Sequence, residues 1–143
     1  MARFIPAPVA GALLAVTVAA LPATASGAPK PRITAHPSSV MVLNTTTLAG
    51  RHFPSKSKIT IEECSETSWI APNQPCDSSN AVKVKTDAKG RFSAVMTVQT
   101  CPGSGAGSSP PGFSERCYVG EPVGTGVDTL ALEGAATITV TGP

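Results

Sequence analysis

Apolar and polar residues alternate along this chain in short bursts separated by turn residues, and no stretch shows helical spacing. The clearest burst is Ala81 to Val98. Val82 and Val84 alternate with Lys83 and Lys85, Asp87-Ala88-Lys89-Gly90 interrupts, and Phe92, Ala94, Met96 and Val98 resume the two-residue period. The pattern predicts two half-buried strands. Gly90 supplies the positive φ of a tight reversal between them, so an antiparallel hairpin is expected.

Other strands follow from the same rule. Arg32 to Ala35 reads as a first strand that Ser38 to Leu43 continues beyond Pro37, and Thr45 to Ala49 is a β-branched run ending at Gly50. In Lys58 to Cys64, Ile59 and Ile61 alternate with Lys58, Thr60 and Glu62. Thr100 to Arg116 is rich in Gly, Pro and Ser and is expected to be a loop, and Cys117-Tyr118-Val119-Gly120 resumes extended chain. Val127 to Leu132 and Ala135 to Thr141 read as a closing pair turning at Glu133-Gly134. Seven or eight short strands predict an all-β immunoglobulin-like sandwich, with a closed barrel as the alternative.

The N-terminus reads as a leader. Arg3 precedes the apolar run Val9 to Leu21, and Ala23-Thr24-Ala25 offers small residues to a signal peptidase. The run is short for a membrane span, which needs about 20 apolar residues. Residues 1–25 are therefore expected to be a signal peptide cleaved after Ala25, and residues 26–143 one secreted domain without stable membrane insertion.

Four cysteines suit that setting. They permit three pairings, and the sequential one, Cys64 with Cys76 and Cys101 with Cys117, is favoured because each pair brackets a loop rich in Pro, Asn, Ser or Gly. Each closed loop would contribute about 3 kcal/mol by chain entropy. A metal site would want CxxC-like spacing and a reducing compartment, so none is expected.

Charge narrows the partners. Eleven Lys and Arg stand against nine Asp and Glu, a net +2 that includes Arg3 of the leader, so no general attraction to nucleic acid or membranes is expected. Lys83, Lys85, Lys89 and Arg91 read as a solvated outer face rather than a phosphate site. Catalytic chemistry is poorly supplied. His36 and His52 lack evident partners, and Glu62 and Glu63 should project to opposite faces of their strand while Glu66 lies beyond it. The glycine run from Gly103 to Gly107 lacks the Lys-Ser/Thr of a phosphate loop. No enzyme is expected.

Taken in order, several segments resemble the neocarzinostatin family, the secreted enediyne-chromophore apoproteins of actinomycetes. His36-Pro37-Ser38-Ser39 is similar to its first strand, and Lys58 to Cys64, with Trp69 and Cys76 following, to the region of its first cysteine. Thr86 to Ser93 with Thr97-Val98 resembles its Asp-Ala-x-Gly segment, Cys117-Tyr118-Val119-Gly120 its Cys-x-Val-Gly, and Gly134 to Val140 its last strand. In the family the second disulfide closes a very short loop, whereas here Cys101 lies at the far end of the Gly/Pro loop, which offers only Phe113 as an aromatic.

The resemblance implies a seven-stranded immunoglobulin-like sandwich with a ligand cleft at one end, of divergent type. Loop aromatics can line a cleft mouth, so Trp69 in the Cys64–Cys76 loop, Phe113 in the Gly/Pro loop and Tyr118 beside Cys117 are the candidate ligand-binding residues. The expected function is a monomeric, non-catalytic, secreted carrier of a small hydrophobic molecule, an apolar or aromatic natural product held without covalent attachment as a chromophore would be. Two alternatives stand beside it. One is a ligand-free extracellular module for protein or cell-envelope contacts. The other is an antibiotic apoprotein that meets DNA only through its bound chromophore.

Overall fold

A computed structural model describes residues 27–102 and 112–143. The expected leader, residues 1–25, and the glycine run from Gly103 to Gly107 lie outside the described residues. Among the described residues no helix is long and apolar enough to cross a membrane.

The described chain forms nine strands: β1 (Arg32–His36), β2 (Ser39–Met41), β3 (Thr45–Arg51), β4 (Lys58–Cys64), β5 (Ser68–Ile70), β6 (Cys76–Lys85), β7 (Phe92–Thr97), β8 (Ser114–Gly126) and β9 (Thr129–Thr141). They build a sandwich of two sheets. One has the order β1-β3-β7, the other β2-β9-β8-β4-β6, with β5 also paired to β9. Counting β1 and β2 as one strand broken at Pro37, and setting aside the three-residue β5, leaves the expected seven. Around the break the chain passes from one sheet to the other.

Period-two burial makes the core. β3 alternates exposed and buried residues throughout, sending Thr46, Leu48 and Gly50 inward. Met96 and Val98 join Leu48 from its own side, while Ile59, Ile61, Val119, Ile138 and Val140 face them from the larger sheet. Burying each such side chain is worth about 1.5–3 kcal/mol, and this apolar layer holds the two sheets together.

The expected hairpin at Ala81 to Val98 is not formed. β6 pairs with β4 and β7 pairs with β3, so the chain crosses between sheets at Asp87–Gly90 instead of reversing within one. The reversal chemistry itself is present. Gly90 has φ +67°, and the Asp87 carboxylate accepts hydrogen bonds from the Lys89 and Arg91 amides at 2.7 and 2.9 Å. The difference arises beside this turn, where the loop from β3 to β4 makes the opposite crossing. The two loops zip together: Phe53 N–H donates to Gly90 O at 3.1 Å, Lys56 N–H to Asp87 O at 3.1 Å, and Thr86 N–H to Ser57 O at 2.9 Å.

Buried Thr86 fastens this junction. Its hydroxyl donates to Pro54 O at 2.6 Å and accepts from Ser57 N–H at 2.9 Å. Thr86→Val keeps the shape but strands both partners, and is expected to cost about 1–2 kcal/mol in chemical denaturation.

Two further expectations are corrected. The closing pair does not turn at Glu133-Gly134. β9 runs unbroken through those residues, and it reverses from β8 at Val127 and Asp128, where Asp128 takes φ +59°. Gly134, at φ +69°, instead lies in a bulge of the β8–β9 ladder, whose register shifts between Val119 and Glu121. A positive-φ glycine serves a bulge as well as a turn, so the sequence alone did not separate them. The expected loop to Arg116 also ends early, because Ser114, Glu115 and Arg116 already pair with Thr141, Val140 and Thr139.

Candidate ligand cleft

β5 lies inside the loop closed by the Cys64–Cys76 disulfide, and its register sets Trp69 opposite Leu130 of β9. Further backbone bonds tie this loop to the β8–β9 ribbon: Leu132 N–H donates to Thr67 O, and Ala71 N–H to Asp128 O. Between loop and ribbon lies an open cleft of about 680 Å³. Trp69, Ile70, Pro75 and Leu130 give its apolar surface, and Glu66, Ser68, Asn73, Thr125 and Thr129 its polar groups. Trp69 is largely buried, while Ile70 is 64% exposed. Val127, at the tip of the adjoining ribbon, is also exposed.

The three candidate residues do not meet in this cleft. Trp69 lines it. Phe113 sits at the opposite end of β8, half-buried against the core, where its ring fills the space a Cβ on Gly142 would occupy. Two backbone bonds secure that end, Gly142 N–H to Phe113 O at 3.0 Å and Gly112 N–H to Pro143 O at 3.1 Å. Tyr118 is half-buried in mid-strand, opposite Cys64 of β4 and Thr137 of β9. Apart from Glu66, the rest of the cleft comes from residues that sequence reasoning missed. Leu130 and Thr129 lie far from Trp69 in the chain, and only the β5–β9 register joins them.

Both disulfides pair sequentially. Cys64–Cys76 links directly opposed residues of β4 and β6, and Cys101–Cys117 ties the segment after β7 to β8. The Glu115 carboxylate lies within 4.8 Å of the Cys101 and Cys117 sulfurs, but a disulfide offers no thiolate to a metal.

Acidic groups gather beside these bridges. At the Cys64 end of β4 successive residues are all buried, Glu62 and Glu63 included. Their hydrogen-bond partners differ, while Asp77 lies near both. Glu62 meets Gln74, while Glu63 Oε2 accepts the Gln99 amide at 2.9 Å. Glu63 Oε1 and Glu115 Oε2 are buried without hydrogen-bond partners. Burial first, then the nearby Asp77 and Glu115 carboxylates, push the Glu63 carboxyl up to about 7. Burial raises Glu62 and Glu121 as well.

Fold and site define a disulfide-bonded, two-sheet β-sandwich with an open cleft at one end. No protein-family model matches the chain, and no curated protein does. Among solved structures it is similar to macromomycin, with a TM-score of 0.44 and 17% identity over 79% of this chain and 99% of that one.

Proposed function

We propose that this protein is an extracellular, non-catalytic carrier of a small, largely apolar molecule, bound in the cleft beside Trp69. The observation that carries the reading is the cleft itself. Its volume, about 680 Å³, falls within the usual 300–1,000 Å³ of small-molecule sites. Its makeup supports this too, with an apolar wall of Trp69, Ile70, Pro75 and Leu130 and polar groups around it able to orient a guest. The exposed Ile70 and Val127 extend apolar surface beyond its mouth. Order in the resemblance to the chromophore apoproteins supports the same class of cargo, with one change. Phe113 and Tyr118 lie outside this cleft, and Ile70 and Leu130 take their place as contact residues.

The chain's one tryptophan makes the test direct, because Trp69 emission reports on the cleft. Titration with 1-aminoanthracene, a neutral fused aromatic, is expected to change that emission saturably. Ile70→Asp alters an exposed side chain and leaves the core intact, and it should weaken binding about tenfold or more by placing a charge in the apolar wall. An unchanged emission, or equal binding by the variant, would refute the carrier reading.

A further inference from the structure

At the junction of the two crossing loops lies a second cavity, of about 510 Å³, whose lining contains no acidic residue. Arg51, His52, Lys89 and Arg91 surround it, and Phe92 and Gly50 form its apolar side. Register explains the concentration of charge. Arg51 stands directly opposite Arg32 on β1, and both point away from the core. On the other side Gly50 pairs with Phe92, which brings Arg91, the preceding residue, alongside Arg51. Three arginines, on β1, on β3 and just before β7, thus share one end of the smaller sheet.

Like charges directly opposed in a sheet destabilise it. Yet the one ion pair among the described residues is that of Arg91 with Asp87, at 3.2 Å. Arg32, Arg51 and Lys89 stand without an ion pair, in a chain whose net charge is only +2. The wall behind them is rigid. Gly50 has no room for a side chain, since a Cβ there would fall 1.9 Å from the Phe92 ring. His52 is held at φ +65° where the chain leaves β3. Lys83 and Lys85 lie on the other sheet and behave as the solvated face expected of them, whereas Lys89 and Arg91 do not belong to it.

We propose that this cavity binds a short chain of phosphates, as carried by a phosphorylated small molecule. Several cations on a rigid wall match an anion of several closely spaced charges better than a single carboxylate. The Arg51 fork takes phosphate oxygens in pairs, Arg91 adds the guanidinium nitrogens that its Nε pairing with Asp87 leaves over, and Lys89 adds a point charge. The cavity is too small for a folded macromolecule to enter, so the occupant is the phosphate chain itself.

Calorimetric titration with inorganic tripolyphosphate tests this. One equivalent is expected to bind, more weakly as salt rises, with affinity reduced about tenfold by Arg51→Gln and again by Lys89→Gln. These residues are exposed, so the variants retain the fold, and Lys83→Gln on the other sheet should bind like the unaltered protein. Absence of binding at about 1 mM tripolyphosphate, or equal binding by Arg51→Gln, would overturn the proposal. So would equal affinity for monomeric sulfate, which would reduce the site to general charge attraction. Tighter binding of a single-stranded oligonucleotide would replace the small anion with a polymer and overturn it too.

Discussion

Glu63→Gln is expected to make the protein more stable at pH 8, by on the order of 3 kcal/mol, while leaving it nearly unchanged at pH 4. Glu63 is fully buried, and its carboxyl is pushed up to about 7 from an ordinary value of 4.5, chiefly by burial. The folded state therefore holds a proton that the unfolded chain releases between those values. Its contribution is fully present below about pH 4.5 and is lost as pH rises through about 7. Glutamine retains an oxygen to accept the Gln99 amide and puts an N–H₂ group near Asp77 and Glu115, where the carboxylate meets only repulsion. Urea unfolding from pH 4 to 9 would show a decline between pH 4.5 and 7 in the natural protein that the variant largely lacks. A parallel decline in both would assign it to Glu62 and Glu121, which burial shifts in the same direction.

Gly90→Ala is expected to be more damaging, at about 3 kcal/mol or more. Two causes act together. The φ of +67° costs a residue with a Cβ about 1 kcal/mol, and a Cβ here would fall 1.9 Å from the Phe53 carbonyl oxygen. That oxygen is backbone and cannot swing aside like a side chain. Relief requires parting the two crossing loops, which loosens Phe53 from Phe92, ring centroids 5.5 Å apart, and the Thr86 bonds with it. Ala88→Gly, two residues away at an exposed turn position, should change the melting temperature far less. Similar losses at both positions would show that turn flexibility, not the close approach, sets the requirement.

Much of this was legible in the chain. Alternation identified Ile59, Ile61, Phe92, Met96 and Val98 as inward residues, and the bracketing of two loops gave the disulfide partners. Partner strands were not legible, because a two-residue period states which face a residue occupies and nothing about its neighbour across the sheet. Val82 and Phe92 both face inward, yet from opposite sheets. The sites suffered most from this. Trp69 drew attention as a loop aromatic, but Leu130 reaches it only through β9. Arg32, Arg51 and Arg91 are each unremarkable locally, and only the pairing of three strands assembles them.

The parallel pairing of β2 with β9 joins Ser39 to Thr139, and β3 and β7 join Thr45 to Thr97. Each such contact demands closure of a long loop before any reward in buried surface. The protein should accordingly fold slowly for its size, in milliseconds to seconds, with the early part of the chain waiting on the last strand to arrive. A chain lacking Thr139 to Thr141 leaves β2 without its ladder, so that edge of the larger sheet is completed only after those residues have been made.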